Sequence, residues 1–280
     1  MYALCVPTRE SHGLDADTMT ITQYLPISVC MIADNEAHRI RHALESVADW
    51  TSEIIIVLND DVNDGTDKIA ESFGAKVFRE PWKGHIAQKN SAAQKATQEW
   101  ILGLDADEVV SPELRAEIQK LFAEPEKLTR FAAFSFPRCT FYCGRWIRHG
   151  DWYPNRQTRL WRKGQACWGG VDPHDKLLVH GKAGKLKGDL LHYSMESLEQ
   201  QIKKMMAYAN DFGRHYAEQK KTVLFLDLML HPAWRFGRAY VLRLGFLDGW
   251  QGFVIARMAA IYTFLRYLTV YQAQKETKTE

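Results

Sequence analysis

Asp105 and Asp107 stand as Asp-x-Asp at the end of an apolar run, WILGLDADE over residues 100–108. Carboxylates at this spacing offer hard oxygen ligands to Mg²⁺ or Mn²⁺, and such an ion usually also holds substrate phosphate. Burying carboxylates is costly unless they are paired or hydrogen-bonded. The run must therefore deliver its acids to an edge or a cleft. Taken alone, the acids would equally suit the start of a helix, because Ser111-Pro112-Glu113 follows. Two more loops decide between these readings. Ala33-Asp34-Asn35-Glu36 follows the apolar PISVCMI, and Asn59-Asp60-Asp61-Val62-Asn63-Asp64 follows EIIIVL. Three acidic or amide-rich loops converging on one edge make a polar ligand site.

The elements that must position these loops are legible. Apolar, β-rich runs at 26–32, 53–58, 75–78 and 100–104 read as strands. Between them, Ile40, Ala43, Leu44 and Val47 mark one helix face, with Asp34 or Asn35 as its expected cap. A second helix spans 66–73 and stops at Gly74; a third spans 86–98 and carries Gln88, Lys89 and Asn90 in its first turn. Strand and helix alternate with short connections, which predicts an α/β fold with a mostly parallel sheet and helices on both faces. In such sheets ligands meet the carboxyl ends of the strands. Neither GxGxxG nor GxxxxGK[ST] occurs, so the glycine cradles of dinucleotide and P-loop sites are missing. A carboxylate-held divalent metal neutralises a pyrophosphate without such a cradle.

The 280 residues suit one large α/β domain with an appendage, and 46% hydrophobic content is ample for a core. A net charge of +2 does not point to nucleic acid. Five scattered cysteines suit a reduced compartment better than a disulfide framework, and Cys139 and Cys143 lack the second pair a zinc site needs. Residues 1–22 are polar and aperiodic, without a secretory pattern, and are expected to be a disordered or over-long extension. The catalytic domain is then expected over 23–220. Its second half holds strands near 131–141 and 156–161, a helix marked by Leu198, Ile202, Met205, Ala209 and Phe212, and a dense set of aromatics. Of these, Trp152 and Trp168 suit either core packing or stacking on a sugar. From 221 to 280 the chain is rich in Leu, Phe, Trp and Tyr, with Arg235, Arg238, Arg243, Arg257 and Arg266. No stretch of about 18 uncharged apolar residues occurs there, so amphipathic helices lying on an anionic membrane surface are expected rather than a spanning helix.

From Ile27 to Leu121 the chain resembles the donor half of family 2 glycosyltransferases, the GT-A fold. The resemblance rests on ISVCMIADNEAHRI, EIIIVLNDDVNDGTDKIA and WILGLDADE, in that order. Arg159-Leu-Trp-Arg162, Trp168-Gly-Gly-Val-Asp-Pro-His-Asp175 and Gly188-Asp-Leu-Leu-His-Tyr193 extend it to bacterial lipopolysaccharide-core glycosyltransferases. The resemblance implies an inverting enzyme that moves a sugar from a nucleotide-sugar, a UDP-sugar by expectation, to a lipid-linked glycan. It implies that Ala33, Asn35 and Glu36 border the nucleoside and that Asn59 or Asp60 meets the base. The loop departs here from the family's VVDSGSTDGT pattern. It further implies that Asp105 and Asp107 serve the metal, Asp107 as the direct ligand, with Lys89 a contact to phosphate or base. Asp175 is then the candidate catalytic base, with Asp172 its rival. From the residues themselves, Arg159 could add a charge-assisted contact to phosphate, against the plainer reading of a surface arginine, and His192, after the strand-like DLL, could approach the metal but is not among the expected ligands. The expected setting is the cytoplasmic face of the membrane, with peripheral attachment. Two alternatives stay open: a polyprenyl-phosphate sugar transferase, and a non-catalytic glycan-binding protein of the same fold.

Overall fold

The computed structural model describes residues 24–172, 174–194, 199, 201–203, 205–209, 212 and 222–276. The expected N-terminal extension lies outside the described residues. The first half alternates as its hydrophobic pattern requires: β1 (Leu25–Ala33), α1 (Ile40–Glu45), β2 (Thr51–Asn59), α2 (Thr66–Ser72), β3 (Lys76–Glu80), α3 (His85–Lys95) and β4 (Trp100–Gly103). β1 and β2 are buried on both faces along most of their length, which is why they read as continuous apolar runs. Then come β5 (Glu108–Val110), α4 (Pro112–Phe122), α5 (Pro125–Thr129), β6 (Ala133–Tyr142), β7 (Arg145–Ile147) and β8 (Asn155–Arg162). β9 (Ala166–Val171), β10 (His174–Val179), β11 (Ala183–Lys185) and β12 (Leu190–His192) complete the strands. Two long helices follow, α6 (Phe225–Gly237) and α7 (Gly249–Glu276).

Among the described residues, ten strands form one sheet in the order β3-β2-β1-β4-β8-β6-β12-β5, with β7 and β11 also paired to β6. β1 pairs in parallel with β2 on one side and β4 on the other. The chain direction of the crossovers therefore reverses between β1 and β4, and a crevice opens at their carboxyl ends. β8 is antiparallel to β4, and β6 to β8. Trp50, Trp100, Leu44, Ile56 and Leu58 fill the core on one side of this sheet and are fully buried.

Three local expectations need correction. Asp34 and Asn35 do not cap α1, whose first residue is Ile40 and whose N-cap is Arg39. The N–H groups of Glu36 and Ala37 instead donate to Thr66 Oγ1 and to the Asp64 carboxylate, both at 2.9 Å. Asp64 thereby ties the loop after β1 to the loop after β2. The third strand lies at 76–80, later than its apolar core suggested, because its pairing with β2 continues through Arg79 and Glu80. The third helix ends at Lys95, before Gln98, where Ala96 turns to an extended conformation. Ser111 accepts from Leu114 N at 3.1 Å and caps α4, so the acidic run is separated from that helix by β5.

α6 and α7 form a hairpin through a π-helical turn at Arg238–Leu242 and a 3-10 turn at Gly245–Asp248. The buried Asp248 carboxylate holds it to the sheet, accepting from the N–H groups of Arg148 at 3.1 Å and His149 at 2.8 Å. The hairpin leaves Leu226, Leu230, Trp234, Leu242 and Trp250 each more than half exposed. By length and composition alone the helical stretch 245–275 is apolar enough to cross a membrane. Arg257 and Arg266 still interrupt it, so the stretch contains no uncharged apolar run of about 18 residues.

Candidate active site

The crevice between the ends of β1, β2 and β4 is a pocket of about 700 Å³. Its floor is the turn that joins β4 to β5. Glu108 N donates to Asp105 O at 3.0 Å, and Asp105 N donates to Glu108 Oε2 at 3.1 Å, closing Asp105–Glu108 into a tight loop. Glu108 is fully buried. Its other oxygen accepts from Arg159 at 3.0 Å and from Arg138 at 3.2 Å, so this acid shapes the turn and faces away from ligand.

Asp105 has both oxygens engaged. Arg159 Nη2 lies 2.6 Å from Oδ2, and Lys89 Nζ lies 2.9 Å from Oδ1. Burial would raise the Asp105 carboxyl, but the two cations outweigh it and hold the carboxyl well below the usual range. Arg159 comes from β8 and is only 4% exposed. Burial opposes its charge, yet Asp105 and Glu108 raise it above the ordinary guanidinium value. The expected phosphate contact at Arg159 is therefore corrected: the side chain lies beneath Asp105 and does not line the pocket. Trp168 is likewise core, 6% exposed, packed edge-on against Trp161 and beneath the Lys89 and Arg159 cations.

Asp107 faces a different partner. His192 Nε2 lies 3.4 Å from its Oδ2. β12 brings this histidine in, pairing antiparallel with β5 so that His192 stands opposite Glu108. Burial again raises the Asp107 carboxyl, but His192 prevails and keeps it low, hence anionic. The buried Nδ1 of His192 has no hydrogen-bond partner among the described residues. An anionic carboxylate beside an imidazole at the pocket floor fits a divalent cation; Asp105, which also lines the pocket, already has each oxygen on a protein cation. Among the described residues no third His, Cys, Asp or Glu joins them, so water or phosphate oxygens would complete such a shell.

Lys89, one turn into α3, also reaches Asp175 Oδ2 at 3.0 Å. Asp175 lies on β10, which pairs with β9 in a two-stranded sheet of its own. Asn90 fixes that hairpin by exchanging two 2.9 Å hydrogen bonds with the Trp168 backbone. Asp172 takes a separate role. Its Oδ1 accepts from Ile86 N at 3.1 Å, capping α3, which has no side-chain cap from its own N-cap Gly84. Gly84 has φ of 90°, and a Cβ there would fall 2.3 Å from Asp172 Oδ2. Asp172→Ala is expected to lower stability by about 1 kcal/mol, the usual cost of a lost cap, with a urea midpoint shift as the readout.

The pocket is also lined by Ala33, Glu36, Asn59 and Asp60, whereas Asn35 turns to Asp34 and lies outside it. Sequence reasoning passed over Arg39, Trp82 and His85, which also line it. Arg39 binds Glu36 three residues earlier, a spacing visible in the sequence. Trp82 and His85 pack edge to face across the loop before α3, with ring centroids 4.8 Å apart.

Comparison with known proteins matches the model for "Glycosyl transferase family 2" to residues 28–174. An uncharacterized glycosyltransferase of Rickettsia prowazekii is 32% identical over 86% of this chain and 85% of its own length. The lipopolysaccharide core biosynthesis glycosyltransferase LpsC of Rhizobium meliloti is 28% identical over 89% of this chain and 93% of its own. Among solved structures, S. aureus TarS 1–349 in complex with UDP-GlcNAc aligns with 90% of this chain and 92% of its own, at TM-score 0.47 and 15% identity. A likeness that distant carries no residue from one site to the other.

Proposed function

Because the chain belongs to glycosyltransferase family 2, a family of GT-A-like fold, we propose that its pocket takes a UDP-sugar with a divalent metal and transfers the sugar, with inversion, to a lipid-linked glycan. The observation that carries this reading is the pairing, in one 700 Å³ crevice, of Asp107 and His192 on the floor with Lys89 and Asp175 on the wall. Asn59, the last residue of β2, and Asp60 after it line the pocket and would offer hydrogen-bond acceptors to a nucleoside entering between β1 and β2. Asp107 and His192 would hold the metal, which supplies charge stabilisation for the departing diphosphate. Lys89 adds a cation beside Asp105 and sets the Asp175 carboxylate by direct contact. Asp175 accepts the proton of the acceptor hydroxyl as that oxygen attacks the anomeric carbon, so one base suffices and no covalent intermediate forms.

The hairpin supports the acceptor assignment. The exposed faces of α6 and α7 carry large apolar side chains, with Arg257 on α7 and Arg243 in the turn between the helices exposed beside them, while Asp248 is buried. An apolar and basic face suits an anionic membrane surface, and LpsC, similar over most of its length, is named for lipopolysaccharide core biosynthesis. Peripheral attachment at the cytoplasmic face, with 23–220 as the catalytic unit and 221–280 as the attachment unit, is part of the same proposal.

The test is transfer or hydrolysis of a panel of UDP-sugars with Mn²⁺, with EDTA, and in Asp107→Ala. Activity is expected to vanish in EDTA, to return with Mn²⁺, and to fall in Asp107→Ala by at least about a hundredfold, the scale on which a lost charge-stabilising group acts. Full activity in EDTA would overturn the metal assignment.

A further inference from the structure

Asp151, just after β7, is the centre of an unbalanced cluster. Its carboxylate is 3% exposed and meets three guanidiniums from α6 and the turn after it. Arg235 Nε lies 3.1 Å from Oδ2, while Arg238 Nη2 and Arg243 Nη1 each lie 3.0 Å from Oδ1. One negative charge meets three positive ones. Among the described residues no other carboxylate pairs with any of the three. Burial and the neighbouring charges of Arg238, Arg243 and Arg266 pull Arg235 below its ordinary value, although Asp151 opposes them. The fold thus holds an excess of cation in a partly enclosed place, with donors left over on guanidiniums that are 31–50% exposed.

Two neighbours of the cluster restrict what it can take. Arg235 also borders an apolar cavity of about 230 Å³, whose wall includes Trp152, Met205, Ile255, Met258 and Tyr262. That volume is below the range of whole-ligand pockets and suits only part of a ligand. Arg243 stands between Leu242 and Leu244, which are 63% and 46% exposed, at the bend of the hairpin. Forked guanidinium donors match the oxygens of a phosphate group, and the adjoining apolar surfaces match hydrocarbon.

We propose that Arg235, Arg238 and Arg243 form a binding site for the phosphate of an acidic membrane lipid, whose first acyl carbons enter the neighbouring cavity. The site lies apart from the donor pocket, on different elements, and uses none of its residues. The proposal rests on the membrane attachment argued above but not on the transfer chemistry. It converts a general affinity for negative surface into recognition of one headgroup group, and it fixes how the hairpin sits against the lipid.

The experiment is calorimetric titration of the whole protein with monomeric dihexanoyl phosphatidic acid, dihexanoyl phosphatidylcholine and inorganic phosphate. Flotation with vesicles of phosphatidylcholine, alone or with phosphatidic acid, runs beside it. Wild-type protein is expected to bind the phosphatidic acid at least about tenfold more tightly than the other two ligands. Arg238→Gln/Arg243→Gln is expected to lose at least about tenfold of that affinity, as the loss of charged hydrogen bonds predicts. Arg238→Lys/Arg243→Lys keeps Asp151 paired and the fold intact, and is expected to bind between the two. Binding equal to wild type in both variants would overturn the site. Affinity for inorganic phosphate equal to that for the lipid would overturn the lipid assignment. Vesicle binding lost while the short-chain lipid still binds would leave the site standing and overturn only the membrane-attachment reading. An inactive enzyme that still binds the lipid would overturn only the transferase reading.

Discussion

Asp175→Asn is expected to lower the transfer rate by about 10²–10⁴-fold, the range that general base catalysis supplies, while nucleotide-sugar affinity stays near the wild-type value. The amide keeps the volume and a carbonyl oxygen for Lys89, which now sits 3.0 Å from the carboxylate, but it takes no proton. Lys89 retains Asp105 as its second partner at 2.9 Å, so the floor of the pocket is undisturbed. The measurement is kcat for transfer beside a calorimetric Kd for the donor. Loss of donor binding in step with rate would show that Asp175 acts on the donor and not on the acceptor proton. Unchanged turnover would favour a phosphate acceptor, which needs no deprotonation, and hence the polyprenyl-phosphate alternative.

The second large effect is on stability. Arg159→Leu removes the guanidinium that serves Asp105 at 2.6 Å and Glu108 at 3.0 Å. Breaking a buried pair from one side leaves charge uncompensated and costs about 3–5 kcal/mol. Arg159→Lys is expected to recover only part of this, because Nη2 of one flat fork reaches both acids. Urea unfolding measures it. The pH dependence has a definite sign. Burial raises the Asp105 carboxyl, but Arg159 and Lys89 depress it further than burial lifts it, so its folded value lies below its unfolded value. Its stabilisation is therefore complete above the ordinary carboxylate range and is lost as pH falls towards the folded value. Arg159→Leu should flatten that acid limb.

Much of the donor half was legible because its strands are buried on both faces and its loops are polar, a contrast that survives in one dimension. The three loops were found at the right edge, and Asp105, Asp107, Lys89 and Asp175 share one pocket. What could not be read is direction. Asp172 and Asp175 are close in sequence on one hairpin, yet one caps α3 and the other faces the pocket. Nothing in their types separates them; only the register of β10 on β9 does. Arg159 reads as a phosphate contact or a surface residue because an arginine at a strand's centre gives no sign that two acids from elsewhere enclose it. The partner of Asp107 depends on β12 pairing with β5, a long-range antiparallel contact between strands of only three residues each. Strands so short carry almost no periodicity.

Asp175 is carried by β10, which with β9 shares, among the described residues, no strand pairing with the ten-stranded sheet. The donor floor and the candidate base are thus mounted on two separately hydrogen-bonded pieces, joined at α3 by Asn90 and Asp172. The hairpin is still no loose attachment, because Trp168 on β9 packs into the core with Trp161 and Ile101. A change within 166–179 that moves the candidate base therefore also disturbs the face of the sheet beneath the donor floor.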